Sequence, residues 1–298
     1  MVQDKSKAYI IGSAVNYIIL AVLCLIMLYP FIYFIAISFN DGYDAMKGGI
    51  YLWPREFTLD NYMKAFENEE MMGAFKISVL KTVIGTVLPL FLRATVGYAL
   101  SRKQLWGRKG ITFFFYFTTL ISGGMIPGYI LYRQLGLLNN FWIYIIPTLY
   151  SFYDIVMLRT YFSGIPDSLE ESAYVDGCGP VRTFFQIYIP LAKPILATLA
   201  LFAAVGQWND WFTGAFYITD TELQPAATLL QKLISEVDFT KVTNQEHAQV
   251  LNQMKQSNVT PEALRTTFIV IMTVPILCVY PFLQKYFVKG VMIGSVKG

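Results

Sequence analysis

Long apolar segments separated by polar connections dominate the chain. No charged residue occurs from Ile10 to Phe39, a run too long for the apolar region of a signal peptide, so we predict a retained first helix. A helix needs about 20 predominantly apolar residues to cross a bilayer. Six segments fit: roughly 12–38, 73–99, 111–131, 141–160, 194–218 and 264–288. The pattern predicts an all-α, polytopic membrane protein with six transmembrane helices.

Composition supports a chain that lies in the bilayer. Only 14% of the 298 residues are charged, whereas soluble domains usually carry about 25%. The net charge of +3 gives no reason to expect nucleic acid. The three cysteines are far apart in sequence and show no metal-binding spacing, and the single histidine, His247, is not expected to bind a metal. We therefore predict one transmembrane domain over 1–298 and no metal site.

The distribution of basic residues predicts the orientation. Cytoplasmic connections are enriched in Lys and Arg. With the N-terminus inside, the inner connections and tails carry 12 basic residues and the outer ones eight; the short loop 100–110 alone holds four. Both termini are thus predicted to be cytoplasmic. Three basic residues fall inside the second span: Lys76 and Lys81 are expected to extend toward the outer face, and Arg93 has Asp154 or Asp210 as a conceivable partner.

A polar segment at 165–190, between the predicted fourth and fifth helices, has the signals of a short capped helix. Pro166 interrupts the preceding helix. Ser168 with Glu171, or Asp167 with Glu170, has the spacing of a capping box. Gly177 suits the left-handed position that ends a helix. We predict a helix at 168–175, which the orientation places in the cytoplasm.

A second short helix is predicted to follow at Pro180, a residue suited to a first helical turn. Its apolar residues would hold it against the membrane domain. Pro190 and Pro194 are expected to stop it and to redirect the chain into the fifth span. The helix at 168–175 would then be fixed at both ends.

The order and spacing of these residues resemble the EAA loop of bacterial ABC-importer permeases. Glu171-Ser172-Ala173 is followed after two residues by Asp176-Gly177, and later by Pro190 and Pro194. Two residues depart from the pattern, because Ser172 and Cys178 stand where alanines are usual. Other segments resemble the carbohydrate branch of these permeases: 97–102 (GYALSR, with Gly97 in place of Ala), 125–127, 135–139 and 208–210.

The resemblance implies a mechanism and partners. It places the permease core at about 72–288, in a bacterial cytoplasmic membrane. It implies a second permease subunit, two ATPase subunits that carry ATP and Mg²⁺, an external binding protein and a carbohydrate substrate. This chain would be neither an enzyme nor a cofactor carrier, and it has no GxxxxGK[ST] phosphate loop. The residues implied in coupling to the ATPase are Glu170, Glu171, Ser172, Ala173, Asp176 and Gly177.

Two alternatives stay open for the transported solute and its driving force. Permeases of this branch also carry glycerol-phosphate compounds. A secondary transporter is the other class, although such proteins usually show repeated halves and no repeat occurs here.

Candidate substrate contacts come from aromatic and polar residues at membrane depth. Sugars favour aromatic faces and planar polar groups, and a charged residue inside a membrane usually faces protein or a water-filled path. These criteria select Trp208, Asn209, Asp210, Trp211, Tyr150, Tyr153 and Asp154. Structural contacts between helices are the alternative for all seven. The outer loop 219–263 is predicted to be helical in parts, at 229–233 and 250–254.

Overall fold

Every regular element in the described part of the chain is a helix. The computed structural model describes residues 7–240 and 259–295, and the prediction of an all-α protein is confirmed there. The longer helices are α1 (Lys7–Ser38), α4 (Glu69–Ser101), α11 (Lys193–Asn209), α13 (Ala226–Thr240) and α14 (Pro261–Ser295). The shorter ones are α2 (Gly42–Met46), α3 (Asp60–Glu67), α5 (Arg108–Leu120), α6 (Met125–Gln134), α7 (Phe152–Ser163), α8 (Asp167–Val175), α9 (Pro180–Thr183), α10 (Ile189–Leu191) and α12 (Phe212–Tyr217).

Between three and six membrane crossings fit the described helices by length and composition. Three helices are long and apolar enough on their own: Tyr9–Ser38, Glu69–Ser101 and Pro261–Cys278. Three more crossings would each consist of a bent pair of helices, with bends of 118° after Leu120, 49° after Thr148 and 78° after Leu191. The first two bends interrupt the predicted third and fourth spans. The third bend precedes the predicted fifth span, which is interrupted instead between Asn209 and Phe212. The count of six stays a prediction.

Helix α4 is continuous although three basic residues and Pro89 lie within it. The expectation that Lys81 extends toward the outer face is wrong. Its side chain is completely buried, and its ammonium group donates to the backbone carbonyl of Asp210 over 2.8 Å. Lys76, by contrast, is exposed. Lys81 is therefore buried because it binds Asp210, which is distant in sequence, and nothing in the local sequence indicates that partner.

The described residues form two compact units. The first comprises the described residues of 1–72 and 232–274. In it, the connection after α1 is held by buried polar side chains. The Asn61 amide donates to the carbonyls of Ser38 and Asn40 over 3.0 and 2.8 Å, and Arg55 pairs with the buried Asp44 over 3.0 Å. Because these buried groups bond to one another, the connection has a defined conformation although α2 and α3 are its only regular elements.

The second unit comprises the described residues of 73–231 and 275–298. Its main apolar core joins α4, α7 and the segment after α8 through Tyr98, Leu158, Phe162, Phe184 and Tyr188. Gly97 lies at this contact. A Cβ atom there would come within 2.9 Å of the Leu158 Cβ, so the absence of a side chain allows α4 and α7 to approach closely. This contact places the end of α4 beside the polar segment 165–190.

The prediction of helical structure in the loop 219–263 is confirmed for its first part, which α13 covers. The second part, at 250–254, and His247 lie outside the described residues. The prediction of a single domain over 1–298 stays a prediction.

Candidate functional site

The polar segment forms helix α8, but a capping box does not start it. Pro166 occupies the N-cap position and no side chain caps the helix, so both predicted capping registers are wrong. The carboxylate of Glu170 is bound elsewhere in the fold, and the Ser172 hydroxyl donates back to the carbonyl of Ser168 over 2.9 Å. A tertiary contact thus takes the Glu170 carboxylate that one of the two local caps would use.

The end of α8 follows the prediction. Gly177 is left-handed, with φ of 76°. The amide of Cys178 donates to the Ala173 carbonyl over 2.8 Å, and that of Gly177 to the Tyr174 carbonyl over 3.0 Å. This pair of bonds is a Schellman motif, which satisfies the last carbonyls of the helix and fixes the direction in which the chain leaves.

The second short helix begins at Pro180 as predicted, but Pro190 does not stop it. The chain stays helical through a π-turn at Phe184–Tyr188 and on through α10. The wider turn accommodates the Pro190 ring, which would clash with the carbonyl four residues earlier in a regular α-helix. The predicted redirection is confirmed, because the chain bends by 78° between Leu191 and Lys193, which lie between the two prolines.

The carboxylate of Glu170 is anchored to the end of α4. It accepts a hydrogen bond from Arg102 and one from the Tyr188 hydroxyl over 3.2 Å. The Arg102 guanidinium lies between two rings, 4.9 Å from the centre of Tyr98 and 4.5 Å from that of Tyr188. An exposed pair, Lys103 with Asp167 over 3.3 Å, lies beside it. The GYALSR segment drew attention to Arg102 in the sequence, but nothing in the sequence indicated that Glu170 is its partner.

The other side of α8 is exposed. Ala173 is buried, whereas Glu171, Ser172, Asp176 and Gly177 face solvent. Three apolar side chains are exposed with them: Leu169, Tyr174 and Val175, the last at 88%. A short helix that is anchored on one side and exposes both acids and apolar groups on the other has the character of a protein-binding surface.

A cavity of about 290 Å³ lies among α4, α11 and the 3₁₀ turns at Phe141–Tyr144 and Ile146–Thr148. Its wall combines tyrosine rings with hydrogen-bonding and charged groups. The residues include Arg93, Tyr144, Thr148, Gln207, Asp210 and Tyr217. Rings together with planar polar groups can hold a hydroxylated ligand.

Two ion pairs hold the charged groups in and around this cavity. Arg93 donates to the carboxylate of Asp154 and to the backbone carbonyls of Thr148 and Leu149. Asp210 pairs with Lys81 over 3.3 Å. Asp154 and Asp210 were the conceivable partners of Arg93 in the sequence, and in the structure the partner is Asp154. Because each buried charge has a partner, the penalty of placing it at membrane depth is offset.

Comparison with known proteins identifies the family. Residues 82–293 match the model of the family described as binding-protein-dependent transport system inner membrane component. The chain belongs to this family.

Similar proteins agree with this membership. The chain is 38% identical to protein LplC of Bacillus subtilis over 99% of its own length and 97% of the relative's. It is 38% identical to the polygalacturonan/rhamnogalacturonan transport system permease protein YtcP of the same species, over 94% and 96%. It also resembles a chain in the crystal structure of a bacterial ABC transporter involved in the import of the acidic polysaccharide alginate, with 31% identity, a TM-score of 0.86 and coverage of 95% and 98%.

Membership confirms the resemblance found in the sequence and the predicted class of function. The protein is a membrane-embedded permease component of an ABC transport system, and its part in that system is not that of an enzyme. Within the described residues, no cluster of three or more His, Cys, Asp or Glu side chains could hold a metal ion.

The predicted substrate residues of this permease occupy several environments. Asp210 lines the cavity, and Asp154 is connected to it through Arg93. Trp208 is buried edge-on against Phe75, with ring centres 5.8 Å apart. The remaining four do not line the cavity: Asn209, Trp211, Tyr150 and Tyr153. The structure adds four residues to the cavity wall that the sequence did not indicate, because they have no charge and belong to no local motif: Tyr132, Tyr144, Gln207 and Tyr217.

Proposed function

We propose that this chain is one permease subunit of an ATP-driven importer of oligosaccharides, with six transmembrane crossings and both termini in the cytoplasm. It would pair with a second permease, two ATPase subunits and an external binding protein. The solute assignment is supported by the names of the similar proteins, one for polygalacturonan and rhamnogalacturonan and another for alginate. The positive-inside distribution supports the orientation.

The anchored and partly exposed helix α8 is the observation that carries the coupling proposal. Its inner side is fixed to the end of α4 by the Arg102–Glu170 pair and includes the buried Ala173. Its exposed side carries Glu171, Ser172, Asp176 and Gly177, with Val175 projecting among them. We infer that this side docks into a groove on an ATPase subunit. Glu170 would then position the helix, while the exposed residues contact the ATPase.

The cavity is the corresponding proposal for the substrate. A saccharide passing through the permease would meet the tyrosine rings, Gln207 and Asp210 on its wall. Trp208, Asn209, Trp211, Tyr150 and Tyr153 stay candidates for other parts of the path. Aromatic faces offer stacking to the C–H surfaces of sugars, and the amide and carboxylate offer partners for hydroxyl groups.

Substitution of Glu171 tests the coupling proposal. Glu171→Lys reverses a charge on the exposed side of α8 without removing a contact inside the permease. We expect normal membrane insertion, loss of ATPase co-purification and at least about a tenfold fall in oligosaccharide uptake, since leaving a charge mismatched in an interface costs more than 1.4 kcal/mol. Glu222→Lys, on another exposed acid, is the control. Normal uptake by the Glu171 variant would contradict the coupling role.

A further inference from the structure

A larger cavity of about 810 Å³ lies at the start of α5, between the loop after α4 and helix α7. Four basic residues line it: Lys103, Arg108, Lys109 and Arg159. No acidic residue of the described chain belongs to its wall. Phe113, Tyr116 and Phe152 form an apolar side, with the rings of Tyr116 and Phe152 5.8 Å apart. The cavity therefore combines a cationic end with an aromatic wall.

Three of the four cations have no acidic partner in the part of the chain that the structure describes. Only Lys103 forms an ion pair, the exposed contact with Asp167. Arg108 and Arg159 are half-buried, so water screens their mutual repulsion only in part. By contrast, Lys81 and Arg93 on α4 and Arg102 just after it are each paired with an acid. A group of unpaired cations in this setting calls for an anion supplied from outside the chain.

The position of the cavity indicates where that anion comes from. The cations cluster in and beside the connection 100–110, which the proposed orientation places at the cytoplasmic surface. The cytoplasmic leaflet of a membrane is rich in anionic lipids, and basic pockets between membrane helices bind their headgroups. Trp106, in the same connection, is 93% exposed, as expected for a residue at the membrane interface.

We propose that this cavity binds the phosphodiester headgroup of an anionic phospholipid from the cytoplasmic leaflet. Arg108 and Arg159 hold the phosphate, because guanidinium groups match its oxygens with paired donors. Lys109 adds charge, and the acyl chains run along Phe113 and Tyr116. The proposal rests on the orientation given under the proposed function.

Native mass spectrometry of the purified transport complex tests the site. The complex is stripped of lipid with detergent and then titrated with phosphatidylglycerol or phosphatidylethanolamine of the same acyl chains. We expect the wild type to bind phosphatidylglycerol with higher affinity. The double variant Arg108→Gln/Arg159→Gln is expected to lose roughly 30-fold in that affinity, because each basic residue contributes about a fivefold factor near an anionic surface.

Controls distinguish this site from charge alone and from free phosphate. Lys193→Gln removes a basic residue from the same proposed side of the membrane but outside the cavity, and it should bind like the wild type. Arg108→Lys/Arg159→Lys should keep most of the affinity. Equal binding of the two lipids, or an unchanged Gln double variant, would overturn the proposal. So would displacement of the lipid by millimolar inorganic phosphate, which would indicate a free-anion site.

The same preparation separates this proposal from the proposed function. If the ATPase subunits co-purify with the wild type but phosphatidylglycerol shows no preference, the lipid site is wrong and the importer assignment stands. If the lipid binds selectively and no ATPase accompanies the permease, the lipid site is supported and the proposed ATPase partnership fails.

Discussion

Removal of the Arg102 guanidinium should detach α8 from α4. The side chains of Arg102 and Glu170 are only 18% and 12% exposed. In Arg102→Gln, the Glu170 carboxylate keeps the Tyr188 hydroxyl but loses its counter-charge in a site with little water. Breaking a fully buried pair in this way costs about 3–5 kcal/mol. Partial exposure reduces this to about 2–3 kcal/mol, including about 1 kcal/mol from the two ring contacts of the guanidinium.

The expected consequence is uncoupling rather than unfolding. A free energy of about 2 kcal/mol corresponds to roughly a 30-fold change in the ratio of anchored to detached α8. In proteoliposomes containing the whole complex, we expect ATP hydrolysis to continue while oligosaccharide uptake falls at least about tenfold. Both quantities are measured on the same vesicles, so that a loss of reconstituted protein affects them equally.

A double-mutant cycle decides whether the pair itself is responsible. Glu170→Gln should have an effect similar to Arg102→Gln, and the double variant should add little to either, with a coupling energy above about 1 kcal/mol. The neighbouring pair provides a matched control: Lys103 and Asp167 are 81% and 69% exposed, and Lys103→Gln should leave coupling intact because exposed pairs contribute little. Additive effects in the cycle, or normal uptake by Arg102→Gln, would refute the anchoring role.

Two further ion pairs lead to predictions about stability. Lys81→Met leaves the Asp210 carboxylate without its counter-charge, so we expect the free energy of unfolding to fall by on the order of 3 kcal/mol. The Tm in detergent should be lower, and adding Asp210→Asn should partly restore it. Lys76→Met, at an exposed lysine, should leave the Tm unchanged, and equal Tm values for the two lysine variants would contradict the prediction. In the first unit, hydrogen bonding from Asn40, followed by Arg55, lowers the pKa of Asp44. A lowered pKa stabilises the fold above the ordinary aspartate pKa, and this stabilisation is lost as the pH falls through the lower folded value, so proteolysis of the loop 40–58 should rise below about pH 4. Asp44→Asn should raise cleavage at neutral pH and flatten the pH profile, whereas an unchanged acid profile would count against the assignment.

Local backbone chemistry made several features predictable from the sequence. Gly177 is where a left-handed residue must end α8, because other residues avoid positive φ. Pro180 starts a helix, because the first turn needs no amide hydrogen there. The charge-free run from Ile10 to Phe39 predicted the first helix, and the spacing from Glu171 to Gly177 indicated the family. Each of these signals is contained in a few neighbouring residues.

The remaining features depend on residues that are distant in sequence. Arg93 and Asp154 are 61 positions apart, and Arg102 and Glu170 are 68 apart. No periodicity indicates such pairs. The second pair also explains why the Asp167–Glu170 capping register failed, because Glu170 is bound by Arg102 and is not free to cap α8. The breaks between helices that divide the predicted third, fourth and fifth spans were missed for a different reason. An apolar segment keeps the same composition whether its helix is straight or broken.

Helix α4 connects the cavity to α8 through a series of three ion pairs. Lys81, Arg93 and Arg102 follow one another along α4 and the residue after it, and each binds an acid from a different later segment: Asp210, Asp154 and Glu170. At about 1.5 Å per residue, the first and last of these cations are roughly 30 Å apart, close to the thickness of the hydrocarbon core. Because ion pairs inside a membrane are directional and costly to break, they oppose sliding of these segments along α4. A displacement of α8 would therefore pull on α4 and change the wall of the cavity, to which α4 contributes Gly85 and Arg93. This arrangement gives a physical route by which ATPase closure could act on the substrate path.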